Sequence, residues 1–106
     1  MIGPLKQQLS NPWMRCFLTL DPKEYLPKVK CPLLAINGTK DCQVIYSHNL
    51  RGILMHTSGR ATCLEMEGLN HLFQHCTTGS PDEYIFIEET FAPKAMKAVA
   101  EWILAL

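Results

Sequence analysis

The sequence lacks an excess of charge of either sign. Its 106 residues include ten Lys and Arg and ten Asp and Glu, so the formal net charge is zero. Basic residues do not cluster into a stripe of the kind that binds phosphate backbones or anionic lipid headgroups. We therefore expect neither nucleic acid nor a membrane surface as a partner.

Long apolar runs and closely paired cysteines are also missing. No apolar stretch approaches the roughly 20 residues that a helix needs to cross a bilayer. Residues 1–8 lack the continuous apolar core of a signal peptide, which predicts a cytoplasmic protein. Without a Cys-x-x-Cys pair, the scattered cysteines indicate reduced thiols, most of them packed in the core. They are Cys16, Cys31, Cys42, Cys63 and Cys76.

Hydrophobic residues make up 47% of the chain, which is typical of a folded domain. Residues 33–36 form a short unbroken apolar run, the pattern of a strand buried on both faces, and residues 61–66 resemble a second strand. We predict one α/β domain over residues 1–106, with a short parallel sheet of two strands flanked by helices. Residues 1–30 are its helical lead-in, and residues 31–106 follow the order strand, helix, strand, loop, helix.

Helical periodicity predicts which side chains face the core. Asn11 and Pro12 form a helix start, and Gly59 is a plausible stop for a helix that follows Asp41. Apolar side chains recur at helical spacing in three segments, and we expect each set to point inward. The sets are Trp13, Met14, Phe17 and Leu18; Tyr46, Leu50, Ile53 and Leu54; and Met96, Val99, Ala100 and Ile103.

Two polar side chains follow the two predicted strands. Asn37-Gly38 closes the first strand with turn residues, and Asp41 comes just after it, whereas His71 follows the second strand. Because parallel strands place their carboxyl ends at one edge of a sheet, Asp41 and His71 are expected to meet there. A carboxylate bonded to one imidazole nitrogen fixes the tautomer and stabilises the imidazolium. Alternatively, Asp41 caps the helix that follows it.

Other chemistry-bearing residues allow rival interpretations. His71 and His75, with Cys76 beside them, have the spacing of zinc ligands but no fourth partner. Cys42 is either a nucleophile or, as we interpret it, a packing residue. His48 and His56 are assigned to the polar face of a helix. Glu88 and Glu89, which precede the last helix, are assigned to a solvated face.

Several blocks together resemble a known family. They include Asn11-Pro12-Trp13, Asp21-Pro22, the Asn37-Gly38-x-x-Asp41 block, the Gly68-x-x-His71 block and residues 87–93. In this order they are similar to the C-terminal part of bacterial α/β-hydrolase-fold serine hydrolases. The resemblance implies a partial α/β-hydrolase fold, Asp41 as the triad acid and His71 as the base. It further implies hydrolysis of esters or other acyl bonds in a small substrate, without cofactor or metal.

The family's nucleophile is not found in this sequence. None of the serines lies in a Gly-x-Ser-x-Gly motif, and they are Ser10, Ser47, Ser58 and Ser80. The nucleophile elbow and oxyanion-hole loop belong to the family's N-terminal part, so the chain is expected to be a truncated portion, inactive alone. An alternative is a non-catalytic domain that self-associates. It would assemble as a homo-oligomer through an open strand edge or the apolar faces at residues 13–17 and 96–103.

Overall fold

The computed structural model describes residues 2–106, so Met1 lies outside the described part. The helices are α1 (Ile2–Ser10), α2 (Pro12–Thr19), α3 (Pro22–Tyr25), α4 (Tyr46–His56) and α5 (Pro93–Leu104). Two strands, β1 (Leu34–Gly38) and β2 (Thr62–Met66), lie on either side of α4 in the chain. Short 3₁₀ helices cover Leu26–Lys28 and Pro81–Phe86. The order of elements is the predicted one.

The two strands form a two-stranded parallel sheet. In its register Ile36 is the partner of Leu64, and Gly38 is the partner of Met66. The predicted α/β arrangement, a parallel pair flanked by helices, is therefore confirmed. Two details of the prediction are wrong. Asn37 and Gly38 continue β1 instead of forming a turn, and residues 33–36 are half-buried instead of buried on both faces.

Gly38 is the last residue of β1, and its backbone lies close to the segment after β2. A Cβ atom at this position would lie 2.2 Å from the Leu69 carbonyl oxygen and 2.6 Å from that of Asn70. Both distances are far below van der Waals contact. Only glycine allows the end of β1 to approach this segment so closely.

The helix boundaries follow the predicted signals. The Asn11 side chain caps α2 by accepting a 2.8 Å hydrogen bond from the Trp13 N–H. Asp21 caps α3 in the same way, accepting from the Lys23 N–H at 3.0 Å. At the end of α4, Gly59 has a φ of +76° and its N–H donates to the Leu54 carbonyl oxygen.

The prediction that the apolar face of α2 points into the core is wrong. Trp13 and Phe17 are 68% and 64% exposed, and their rings stack on each other with centroids 5.4 Å apart. Leu18 is exposed as well, and α2 buries none of its residues. The physical reason is that α2 packs against α1, which is itself a surface helix, and not onto the sheet.

The prediction that Met96 and Ile103 point inward from α5 is also wrong. Met96 and Ile103 are exposed, whereas the buried residue of the helix is Ala95. Ala92 and Ala95 have small side chains, which let the start of α5 lie close against Met66 and Leu69. Partly buried residues complete this core, among them Ile36, Leu64, Phe73, Phe91 and Ala98. On α4, Leu50 is buried as expected but Leu54 is exposed.

The cysteines are free thiols but mostly not core residues. Cys16, Cys31 and Cys42 are exposed, and only Cys63 and Cys76 are partly buried. Burial raises the pKa of the Cys63 and Cys76 thiols. The packing role expected for most cysteines, Cys42 included, is therefore wrong. Within residues 2–106, no helix is long and apolar enough to cross a membrane.

The close approach at Gly38 predicts a large cost for adding one methyl group. Gly38→Ala should lower the free energy of unfolding by about 1–3 kcal/mol or more, because the new Cβ would overlap backbone carbonyls. Gly52→Ala is the matched control, since a Cβ there meets nothing within 4 Å. In the helix interior it should stabilise by about 0.5–1 kcal/mol. Urea unfolding measures both, and equal stability of the two variants would contradict the prediction.

Candidate active site

The segments that follow β1 and β2 are joined by hydrogen bonds. The Thr39 N–H donates to the Met66 carbonyl oxygen at 3.0 Å, and the Lys40 N–H donates to that of Leu69 at 2.9 Å. In the opposite direction, the Gly68 N–H donates to Thr39 Oγ1 at 2.8 Å. These bonds hold the carboxyl ends of the two strands together.

Asp41 and His71 lie next to each other at this edge of the sheet. The Nδ1 atom of His71 lies 2.9 Å from Oδ2 of Asp41, so the contact predicted from the sequence is present. The Asp41 side chain is 6% exposed and that of His71 is 36% exposed. A buried carboxylate thus contacts an imidazole that reaches the surface.

The second oxygen of Asp41 organises the chain just after β1. Oδ1 accepts hydrogen bonds from the N–H groups of Gln43 at 2.8 Å and Val44 at 2.9 Å. Helix α4 begins only at Tyr46, after Ile45, so Asp41 closes a turn ahead of the helix. The alternative in which Asp41 caps this helix is therefore wrong, although the carboxylate does stabilise the local backbone.

The surroundings of Asp41 favour its ionised form. Burial alone raises the pKa of this carboxyl group, because desolvation penalises the charge. The hydrogen bonds from the Val44 N–H, from His71 and from the Gln43 N–H lower it by more. The pKa of Asp41 consequently lies below its usual value, and the group is a carboxylate at neutral pH.

Two asparagines connect this carboxylate to α4. Asn37, which is 3% exposed, places its Nδ2 atom 3.3 Å from Asp41 Oδ2 and 3.2 Å from the Val44 carbonyl oxygen. Its Oδ1 accepts a 2.7 Å hydrogen bond from Nδ2 of Asn49. Asn37 was predicted to be only a turn residue. A polar side chain at the end of an apolar strand is a signal of such a network, because a buried amide needs partners.

His71 is held by a tight turn around a buried asparagine. Asn70 is fully buried, and its Oδ1 accepts from the N–H groups of Leu72 at 3.0 Å and Gln74 at 2.9 Å. Phe73 adopts a φ of +58°, and its carbonyl oxygen accepts from the Ala92 N–H. The turn that carries His71 is therefore anchored to the start of α5.

A cavity of about 180 Å³ opens beside the Asp41–His71 pair. Both side chains contribute to its wall, and Asn37 and Asn49 line it as well. Its apolar side is formed by Ile36, Val44 and Phe73. The cavity provides a small, open space next to the imidazole.

The bond to Asp41 determines what the imidazole of His71 can do. An ionised carboxylate only accepts hydrogen bonds, so Nδ1 carries the proton in the neutral ring. The Nε2 atom then has a lone pair, and no hydrogen-bond partner for it is found in the described part of the chain. This arrangement suits a general base whose protonated form is stabilised by the neighbouring carboxylate.

A second loop supports the turn that carries Asp41. Lys40 Nζ donates to the Thr77 carbonyl oxygen at 3.3 Å, and Gln43 Nε2 donates to the Tyr84 hydroxyl at 2.8 Å. The loop itself is closed by Glu83, whose carboxylate accepts from the N–H groups of residues 77, 78 and 79. These bonds, that from the Thr77 N–H above all, lower the pKa of Glu83 to about 2. No feature of the sequence predicts this role of Glu83.

Other candidate residues lie apart from the pair. His75 contacts Glu89 instead, with Nδ1 and the backbone N–H each 2.8 Å from Oε1. The hydrogen bonds from the N–H and ring of His75 lower the pKa of Glu89, whose side chain is 30% exposed. Glu88 is exposed, as expected. Within residues 2–106, no three His, Cys, Asp or Glu side chains are grouped to hold a metal ion.

The remaining histidines and Cys42 have separate surroundings. His48 and His56 line a groove of about 190 Å³ between α3 and α4. The Sγ atom of Cys42 lies 3.7 Å from the Lys40 carbonyl oxygen and 3.9 Å from that of Thr78. No hydrogen bond links Cys42 or any of the four serines to His71 in the region that the structure describes.

Comparison with known proteins identifies no relative. No family model matches the sequence, and neither a curated protein nor a solved structure matches it. The function must therefore be inferred from the side chains of the site and their geometry.

The lowered pKa of Asp41 predicts a pH-dependent contribution to stability. Because the folded-state pKa lies below the unfolded value, the contribution is complete above the unfolded value and is lost as the pH falls through the folded value. Asp41→Asn should destabilise by about 1–3 kcal/mol at pH near 6. The difference from the unsubstituted protein should shrink as the pH falls from about 5 to about 3.

Urea unfolding at a series of pH values provides the measurement. Asp82→Asn is the control, because the exposed Asp82 side chain accepts no hydrogen bond from residues 2–106. It should show no comparable change with pH. An Asp41→Asn penalty that stays constant down to pH of about 3 would rule out the stabilised carboxylate.

Proposed function

We propose that this chain is the acid–base portion of an α/β-hydrolase-fold serine hydrolase. In this proposal Asp41 is the acid and His71 the base of a Ser-His-Asp triad that cleaves an ester or another acyl bond. The supporting observation is the 2.9 Å contact between Nδ1 of His71 and a buried oxygen of Asp41 at the shared edge of two parallel strands. The order Asp then His along the chain is that of the family.

In the proposed mechanism each group takes part in a defined step. Nε2 of His71 accepts the proton of a serine hydroxyl while the serine oxygen bonds to the acyl carbon, and Asp41 stabilises the resulting imidazolium. The imidazolium then returns the proton to the leaving group as the acyl bond breaks. A water molecule then gives a proton to Nε2 and bonds to the acyl carbon. As the bond to the serine oxygen breaks, the proton returns to that oxygen and the carboxylic acid is released. The serine and the donors for the oxyanion would come from a polypeptide outside this sequence.

An active-site probe tests whether the acid and base of this chain act on a serine from outside this sequence. The purified 106-residue chain should not be labelled by a fluorophosphonate, because none of its serines contacts His71. The product of the same gene, tagged at its C-terminus and purified from its own cells, should be labelled at one serine. Asp41→Asn should slow this labelling by about 10⁴-fold and His71→Ala by at least as much, since both act on the nucleophile.

His75→Ala is the matched control for the labelling experiment. His75 is exposed, bonds to Glu89 and should leave the rate unchanged. Two results would contradict the proposal. One is stoichiometric labelling of a serine in the isolated chain, and the other is labelling of the cellular protein that does not depend on His71.

A second proposal, of a non-catalytic class, is that copies of the chain associate with each other. It is supported by large apolar side chains on the surface, such as the stacked Trp13 and Phe17 on α2 and Met96 and Ile103 on α5. The sheet of residues 2–106 has two strands, so the outer edge of each can pair with another strand. Two copies related by a two-fold axis would join equal edges antiparallel into one sheet.

Light scattering and sedimentation at micromolar concentration test the association. We expect a dimer or larger oligomer, and Trp13→Ser with Phe17→Ser should weaken it at least about tenfold if α2 forms the contact. Ile85→Ser is the control, because Ile85 is 85% exposed but lies outside the proposed surfaces. A monomer that melts in one sharp cooperative transition would refute the self-association.

A further inference from the structure

We infer that Asn37 and Asn49 are positioning residues, which fix the Asp41 carboxylate relative to His71 through a relay of side-chain amides from α4. The relay is the set of three side chains Asn49, Asn37 and Asp41. This inference rests on the proposed roles of Asp41 and His71 as acid and base. It explains why the neutral imidazole of His71 is held in one tautomer.

The orientation of the Asn37 amide is set by the atoms around it. Its Nδ2 atom lies 3.3 Å from Asp41 Oδ2, 3.3 Å from the Gly38 carbonyl oxygen and 3.2 Å from that of Val44. All three neighbours are oxygens that only accept hydrogen bonds. With the amide reversed, four oxygens would face one another in a site that is 3% exposed. The amide nitrogen must therefore face Asp41.

This orientation of Asn37 in turn determines that of Asn49. The Oδ1 atom of Asn37 points toward α4 and accepts from Nδ2 of Asn49 at 2.7 Å. Had Asn49 presented its own oxygen instead, two acceptors would lie at that distance. Each amide is thus oriented by the next, and α4 fixes the end of the relay.

The relay completes the set of donors that fixes the plane of the Asp41 carboxylate. The terminal torsion of an aspartate side chain has only broad preferences, so hydrogen-bond donors must set the plane. Oδ1 is held by the N–H groups of Gln43 and Val44. Oδ2 is held by the Asn37 amide, which leaves its remaining lone pair for Nδ1 of His71.

The fixed Oδ2 selects the tautomer of His71. Which ring nitrogen carries the proton depends on the hydrogen bond that the other makes. An acceptor held 2.9 Å from Nδ1 favours the Nδ1–H form and leaves Nε2 as the basic atom. If the carboxylate turns away, the Nε2–H form, which cannot act as the base, gains population.

Asn49→Asp tests the relay with a side chain of nearly the same shape. The introduced carboxylate presents only acceptors, so Oδ1 of Asn37 loses its donor on α4 and faces another acceptor. This repulsion displaces the Asn37 amide and weakens its hydrogen bond to Asp41 Oδ2. We expect the fraction of neutral His71 in the Nε2–H form to rise about fivefold, the factor expected for one net hydrogen bond. The nitrogen-15 NMR chemical shifts of the two imidazole nitrogens measure this fraction.

Ser47→Asp is the matched control for this variant. Ser47 is exposed on the same helix, so the substitution adds the same charge without touching the relay. It should keep the tautomer of the unsubstituted protein. Asn49→Ala, which only removes a donor, should shift the tautomer in the same direction by a smaller factor.

The outcomes separate this inference from the proposed function. The tautomer is measured in the chain itself and requires no nucleophile, so it can change whether or not the protein is a hydrolase. An unchanged tautomer in folded Asn49→Asp and Asn49→Ala would overturn the positioning role. So would unfolding of both variants while Ser47→Asp remains folded, because the relay would then be purely structural.

Discussion

The candidate site depends on the close approach of the end of β1 to the segment after β2. Gly38 makes this approach sterically allowed, since any side chain would overlap the Leu69 and Asn70 carbonyls. The approach brings Thr39 and Lys40 within hydrogen-bonding distance of that segment. As a consequence, Asp41 and His71, which are 30 residues apart in the chain, come to lie side by side. Two strands of a parallel sheet are enough to form this edge.

Polar groups hold this edge as much as apolar packing does. The fully or nearly buried side chains include Asn37, Asp41, Asn70 and Gln74, and each has hydrogen-bond partners. No buried side-chain nitrogen or oxygen in the described part lacks a partner. Such networks are costly to break and have one favoured geometry, because each unsatisfied buried group is penalised. The apolar core beside them is small, and four buried residues form its centre, which are Met66, Leu69, Ala92 and Ala95.

Apolar periodicity did not predict which side of α2 and α5 packs against the rest of the protein. The apolar periodicity of α2 correctly indicated a helix, but Trp13 and Phe17 lie on the surface because no sheet covers them. On α5 the small residue Ala95 is buried, and Met96 beside it is not. Periodicity describes one face of a helix, whereas packing depends on how closely two backbones can approach. Asn37-Gly38 was assigned to a turn because this pair is a strong turn signal, yet both residues extend β1.

The order of the elements, the parallel pair of strands and the pair Asp41 and His71 could all be predicted from the sequence. These follow from local signals: apolar runs, capping residues and polar groups directly after strand ends. Long-range contacts, by contrast, bring Asn37 and Asn49 into the site, place Asn70 beneath the turn that carries His71, and leave the apolar faces of α2 and α5 exposed. The reason is physical. Hydrogen bonds between side chains distant in sequence depend on distances of a few tenths of an ångström, and local preferences do not specify them.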